Sequence, residues 1–385
     1  MDFSFTAEQQ LLADTVQRFV RENYSFDTRR AILTSVPGWS RDVWQDLAAL
    51  GLTALNVPEE HGGLNGGPVD TMLVMNALGA GLILEPFLGA AVLAPALLTL
   101  LADAGASAAL LPGIASGEHI VIVAHQEPRT RGELNHVATR AERSGNGYVL
   151  NGYKNVIVHG NAADELLISA RTAGNTTDLQ GISVFRVDPK ATGVTVTSYK
   201  TIDGQTAADF ELNNVTVPAS ARVGVEGEAC GAIDSAQGIA ISAICAEAVG
   251  AMKAINAATL EYTKSRKQFG QPIAKFQVLQ HRMADMYLQA EQATSMSYLA
   301  AIKCTDPDAA ERRRALSAAK VVIGQAGRYI GQQAIQLHGG MGMTDEVIVS
   351  HYFKRLTAID LTFGDTDFHL QQFIAQPLFA LSPAT

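Results

Sequence analysis

From Ala232 to Ser265 the chain carries a nearly unbroken apolar helical pattern, longer than a small globular domain requires. A helix of that length cannot cover its own apolar surface, so other long helices must lie beside it and a bundle is predicted. Two more patterns follow, over 276–304 and 308–338. The first pattern runs out in Tyr262-Thr263-Lys264-Ser265-Arg266-Lys267-Gln268-Phe269-Gly270-Gln271-Pro272-Ile273, where Gly270 and Pro272 stop a helix. A short basic hinge between two helices suits an anion such as a pyrophosphate, because Arg grips phosphate oxygens through paired, charge-assisted hydrogen bonds. A solvated basic helix end, favourable to the helix dipole, accounts for this stretch equally well.

Ahead of the bundle the texture differs twice. Residues 6–22 repeat apolar side chains at helical spacing, with Thr6 as N-cap and Gln9 three positions on, and a second helix spans about 39–51 up to Gly51. Helices are expected to continue to about residue 118. The apolar run 82–101 is interrupted by Glu85, Pro86 and Pro95, which favours buried helices over a membrane span. From about 119 to 228 short β-prone runs take over: 121–123, 148–150, 156–158, 166–170, 182–187, 193–199, 209–212 and 221–223. Asn146-Gly147 and Asn151-Gly152 supply turn signals between them. Strands at this spacing predict a compact antiparallel barrel or sandwich. Three domains are therefore expected: helical 1–118, β-barrel 119–228 and helical bundle 229–385.

A net charge of −9 argues against nonspecific nucleic-acid binding. Cys230, Cys245 and Cys304 show neither metal-ligand nor disulfide spacing, and Met1-Asp2-Phe3-Ser4-Phe5 is unlike a signal peptide, so a cytoplasmic location is expected. His338, His351 and His369 are spaced by 13 and 18 residues, and no metal site follows.

A second glycine-rich segment, Gln336-Leu337-His338-Gly339-Gly340-Met341-Gly342-Met343-Thr344, ends the third bundle pattern. Its glycines let backbone approach a ligand, and Gln336 offers both a donor and an acceptor. Taken with the helix–β–helix order, the Glu59-Glu60-His61-Gly62-Gly63 turn and the 266–273 hinge, this segment makes the whole chain resemble the acyl-CoA dehydrogenase family. Cys245-Ala246-Glu247-Ala248-Val249-Gly250-Ala251-Met252, His351-Tyr352-Phe353-Lys354-Arg355-Leu356 and Phe363-Gly364-Asp365 resemble the small subunit of pimeloyl-CoA-type, heteromeric members.

The resemblance implies a helical N-terminal domain, an antiparallel β-barrel and a C-terminal four-helix bundle, assembled as a tetramer or with a large subunit. It implies FAD between two subunits and α,β-dehydrogenation of an acyl-CoA, dicarboxylyl, long-chain or bulky. It also implies electron transfer to an electron-transfer flavoprotein. Arg266, Phe269, Gln336 and Gly340 match the positions that hold the ADP half of FAD, and Gln268 stands where relatives often have a small hydroxyl residue.

At the flavin-ring half, Gln126 and Val158 replace hydroxyl residues, whereas Thr366 matches a Thr that many relatives place near the flavin. The α-proton of a thioester is weakly acidic, so its removal needs a close, desolvated base and donors for the enolate oxygen. Both base positions of the family lack a carboxylate here: one is Gly364, the other Ala240, with Ile241 where an arginine often follows.

Glu247 and Asp365 are the acids that could substitute. Glu247 lies seven residues beyond Ala240 on the same helix face, roughly 10 Å along it. It reads otherwise as a structural hydrogen-bonding group, and Asp365 as an N-cap before the last helix. Three functions stay open: a small subunit completing a partner's FAD site, an active homo-oligomer using Glu247 or Asp365, and a non-catalytic assembly protein. Small residues such as Gly79, Gly81 and Gly89 could widen an acyl channel or tighten helix packing.

Overall fold

The computed structural model describes residues 4–130 and 132–376. The first helices are α1 (Ala7–Asn23), α2 (Phe26–Thr34), α3 (Arg41–Ala49) and α4 (Pro68–Gly81). A π-helical turn, Leu88–Leu93, leads into α5 (Ala94–Leu100), and α6 (Ala104–Ala115) follows. The strands are β1 (Val121–Ala124), β2 (Arg140–Ser144), β3 (Gly147–Val158), β4 (Glu165–Arg171), β5 (Ile182–Val187), β6 (Val194–Lys200), β7 (Thr206–Pro218) and β8 (Arg222–Val223). Then come α7 (Cys230–Ser265), a two-stranded ribbon of β9 (Lys267–Gln268) and β10 (Gln271–Pro272), α8 (Gln277–Lys303), α9 (Ala309–His338), α10 (Ile348–Leu361) and α11 (Thr366–Ala375).

Local chemistry sets many of these ends. At α1, the Thr6 hydroxyl accepts from the Gln9 amide and the Gln9 side chain accepts from the Thr6 amide, a complete capping box. Ser40 caps α3, and Asp308 caps α9 by accepting from the amides of Ala310 and Glu311. Asn151-Gly152 is not a turn. It lies inside β3 where the register with β7 slips, and a Cβ at Gly152 would collide with Thr139. The turn between β2 and β3 is Gly145-Asn146, since Ser144 pairs with Gly147.

The described residues form two compact units. One comprises Met1–Arg29, Pro68–Ile83 and Ile241–Thr385; the other Arg30–Gly67 and Leu84–Ala240. The boundary falls within α7, between Ala240 and Ile241.

The second unit holds an eight-stranded sheet ordered β6-β7-β3-β2-β4-β5-β8, with β1 also pairing β4. The predicted antiparallel barrel is corrected on two counts. The sheet is mixed, because β1 runs parallel to β4 over four residue pairs and β2 meets β4 in a parallel pairing at Arg140–Arg171. It is also open, with β6 and β8 as unjoined ends of the strand path. Barrel closure requires every strand to be paired on both sides. Here β6 is mostly exposed along its length and β8 is only two residues long. A core built on Val57, Leu97, Leu110, Ile114, Val121, Leu167, Ile182 and Ile233 fills this unit.

In the first unit, α4 meets α7 backbone to backbone. A Cβ at Gly79 would strike the carbonyl of Glu247, and one at Gly250 would strike that of Asn76. Gly79 therefore serves close packing, and so does Gly81, whose Cβ would press on Val20. Among the described residues one helix, Cys230–Ser265, is long and apolar enough to cross a membrane, and 83% of its most apolar window is buried.

Candidate active site

The basic hinge is a small hairpin. Gln268 pairs with Gln271, which leaves Phe269-Gly270 as a two-residue turn with φ of 54° and 78°. Two successive left-handed residues are the signature of a type I′ turn, whose first position normally favours Asn, Asp or Gly. A bulky aromatic there is unusual, and the Phe269 ring is 90% exposed, touching Phe276 edge-on with centroids 6.0 Å apart. The hairpin closes where the Ile273 amide donates to the Arg266 carbonyl at 2.8 Å. Lys264 pairs with Glu261, whereas the exposed Arg266 guanidinium has no carboxylate partner among the described residues.

At the end of α9, Gln336 is exposed and Gly339 turns left-handed at φ 59° into the tight turn Gly339–Met343. A Cβ added at Gly339 or Gly340 would meet nothing within 4 Å, so the loop presents open backbone. An unpaired cation, an exposed aromatic, an exposed amide and open glycine backbone are the groups that hold a dinucleotide's phosphates and base. The residues present fit the ADP half of FAD. Gln268 donates only to the Lys267 carbonyl, at 2.9 Å.

Gly364 and Ala240, the positions where the resemblance places a base, carry no carboxylate. Gly364 sits at φ 98° directly after Phe363 at φ 60°, and a Cβ there would collide with the Phe368 ring. The same Cβ would stand 3.1 Å from His369 Nε2. That nitrogen donates to the Phe363 carbonyl at 3.0 Å, so Nδ1 accepts from the Ser317 hydroxyl at 3.2 Å.

Asp365 caps α11, accepting from the Phe368 amide at 2.8 Å. Thr366 is buried and donates to Asp360 Oδ1 at 2.7 Å, while Asp360 Oδ2 takes Arg328 at 3.0 Å. Lys320, buried on α9, donates to the carbonyls of Ile359, Asp360 and Thr362, capping the end of α10.

Ala240 is fully buried. Glu247 is buried too, and both its oxygens bind Arg355: Oε1 to Nε at 2.6 Å and Oε2 to Nη2 at 2.8 Å. The fork geometry engages both carboxylate oxygens. The sequence contained both partners, but their separation of 108 residues hid the pairing.

Of the flavin-ring candidates, Gln126 and Val158 lie in the other unit, whereas Thr366 lies in the first. Gln126 follows β1, is exposed, and its carbonyl accepts from the Asn155 amide at 3.0 Å. Val158 ends β3 opposite Ala207, and Val156 before it is left-handed at φ 52°, its amide donating to Asp209 Oδ1. Neither Gln126 nor Val158 supplies a hydroxyl, so the ring half fits less well than the ADP half.

Sequence reading missed the buried set beneath Gln126. Lys154, with no exposure, donates to Glu127 at 2.6 Å, to Ser169 at 3.0 Å and to the His125 carbonyl at 3.2 Å. Burial raises the Glu127 pKa, but the Lys154 charge and the bonds from Lys154, Thr139 and Ala138 outweigh it and leave the carboxyl below its usual range. Burial pulls Lys154 down to about 8 against the opposing pull of Glu127. Burial, then the Lys154 charge, holds His125 at about 3. Glu127 lies in the loop after β1 and Lys154 in a polar stretch of β3, 27 residues apart, so no local pattern signalled the pair.

Three family models match: acyl-CoA dehydrogenase N-terminal domain over residues 6–118, middle domain over 123–215 and C-terminal domain over 242–377. The chain is 28% identical to L-prolyl-[peptidyl-carrier protein] dehydrogenase of Serratia sp., covering 98% of each chain. It is equally 28% identical to the probable acyl-CoA dehydrogenase YngJ of Bacillus subtilis, over 95% of this chain and 97% of that one. One chain of the solved ChsE4-ChsE5 complex from Mycobacterium tuberculosis superposes with a TM-score of 0.86 at 26% identity, over 100% of this chain and 100% of that one.

Proposed function

The chain belongs to the acyl-CoA dehydrogenase family, FAD-binding oxidoreductases that act on the CH–CH bond of an acyl-CoA, and we propose that it serves as the small subunit of a heteromeric member. The observation that carries this reading is an asymmetry. The groups suited to the ADP half of FAD are exposed, whereas the two acids that could replace the missing base, Glu247 and Asp365, are bonded elsewhere.

Arg266 would meet the pyrophosphate charge, Phe269 would offer an aromatic face, and Gln336 and the Gly340 backbone would supply hydrogen bonds. Gln126, Val158 and Thr366 would stand toward the ring, with Gln126 the one exposed donor of the three. Bound FAD supplies the acceptor for the hydrogen leaving the acyl β-carbon. A base must take the α-proton, and the two candidate acids are engaged elsewhere: Glu247 with Arg355 and Asp365 with the Phe368 amide. Proton abstraction is assigned to a large subunit whose flavin this chain helps to hold.

The assembly is proposed to be tetrameric and cytoplasmic, consistent with three free cysteines, and to pass electrons to an electron-transfer flavoprotein. The ChsE4-ChsE5 likeness supports a two-chain assembly by analogy.

Expression of the chain alone and together with a large subunit tests the reading, with acyl-CoA and carrier-protein thioesters as substrates. The assembled pair is expected to bind FAD and oxidise acyl-CoA, and the chain alone is not. Stoichiometric FAD and normal turnover by the chain alone would defeat it.

A further inference from the structure

We infer that Tyr262 and His338 are a positioning pair that fastens the hairpin bearing Arg266 and Phe269 to the glycine turn bearing Gly340, so that the two segments move as one. The inference rests on the FAD clamp proposed above, which needs those segments at a fixed separation. They are 66 or more residues apart in the chain and grow from the ends of different helices, α7 and α9.

The two rings stack with centroids 4.1 Å apart and an interplanar angle of 20°. The Tyr262 hydroxyl also donates to the His338 carbonyl at 3.3 Å. His338 Nδ1 donates to the Ala334 carbonyl at 2.9 Å, and a carbonyl only accepts, so both the tautomer and the ring plane are set from within α9. His338 is buried and Tyr262 half-buried, so the contact is shielded from water on one side.

Each ring is also tied to its own ligand segment. The Tyr262 carbonyl accepts from the Arg266 amide at 2.8 Å and from the Ser265 hydroxyl at 3.0 Å, fixing where the hairpin begins. On the other side, Gly339 follows His338 immediately, and a Cβ at Gly342 would sit 3.0 Å from His338 Cβ, so the turn folds back over that residue. Neither ring needs to touch the ligand. Their effect passes through Arg266 and Gly340.

The test uses the full chain and four variants: Tyr262→Leu, His338→Leu, His338→Phe and Arg266→Ala. Amide hydrogen exchange is read on the chain without FAD, and FAD retention on the chain assembled with a large subunit. Tyr262→Leu is expected to speed exchange across 339–343, and His338→Leu across 267–272, each on the segment opposite the substitution. Both should lower FAD retention by up to about tenfold, the worth of an aromatic pair. His338→Phe keeps a stacking ring but loses the Nδ1 bond to Ala334, and should restore both readouts in part.

Exchange that rises only beside the substituted residue, or evenly over the whole chain, overturns the inference, as does failure of His338→Phe to rescue. If the leucine variants do not fold, His338→Gln removes the ring and allows the same comparison. Unchanged FAD retention in Arg266→Ala, with the reciprocal exchange still seen, would defeat the clamp reading and leave the coupling intact.

Discussion

Glu247 and Arg355 bury opposite charges against each other in the first unit, in the two-point geometry that guanidinium and carboxylate favour. Removing one partner strands the other, which costs far more than the pair contributes. Glu247→Gln is therefore expected to lower unfolding free energy by about 3 kcal/mol in a denaturant titration. Flavin reduction in the assembled enzyme should keep its rate, and a collapse of that rate would make Glu247 a base after all.

Gly364 makes the complementary case. Gly364→Glu restores the family's carboxylate on paper, but the residue must hold a left-handed φ and displace Phe368. The variant should lose about 2 kcal/mol or more of stability and gain no dehydrogenation. Measurable acyl-CoA oxidation by this variant alone would contradict that account.

His369 supplies the pH test. Burial, then the Lys320 charge, pulls its pKa from 6.5 to about 4, against the Phe363 carbonyl and the more distant Asp365 and Asp360. Below 6.5 the unfolded chain takes up a proton that the folded ring refuses. Stability therefore falls from about pH 6.5 to about pH 4 and flattens beneath, a loss on the order of 3 kcal/mol from this group. His369→Gln should make melting temperature fall less steeply over that window, and an identical slope would show that the ring titrates elsewhere.

Among elements, the β9–β10 hairpin departs from local turn preference. Its tip holds Phe269 left-handed and exposed where Asn would fit at lower conformational cost. Phe269→Asn is expected to stabilise the chain by about 1 kcal/mol while weakening FAD retention in the assembled enzyme. Lost stability, or unaltered retention, would mean that the ring is there for packing.

The helices were the legible part. The capping box at Thr6, the Gly51 stop and the bundle helices 276–304 and 308–338 stand within a residue or two of where periodicity and caps put them. Those signals lie within a few residues of each other and need no partner. The sheet was legible only in part: no expected run covers β2, the runs 148–150 and 156–158 are both β3, and the topology was not legible. Asn151-Gly152 carries a turn signal, yet it is a bulge, because contact with Thr139 decides what a glycine at that position is for.

At the scale of the molecule, the chain divides into two units that each bury charged groups. Glu127–Lys154 and the Arg171 guanidinium, which is ringed by backbone carbonyls, lie in one, and Glu247–Arg355 and Lys320 lie in the other. Charges buried this way are tolerable only with complete hydrogen bonding, which explains how a chain with 17% charged residues can place several of them inside. The proposed division of labour between subunits also belongs to this scale, and the paired expression experiment is its test.

The long helices of the bundle, the basic hinge and the absence of Glu at positions 364 and 240 follow from the sequence by itself, because each depends on residue type and short-range spacing. Only the tertiary structure decided what the remaining acids do. Whether Glu247 is a base or an ion-pair partner depends on a residue 108 positions away. Whether Gly364 is a vacancy or a filled turn depends on where Phe368 and His369 come to rest. Contacts of that kind form when distant elements pack, and burial there fixes whether a titratable group is available for chemistry or already bound.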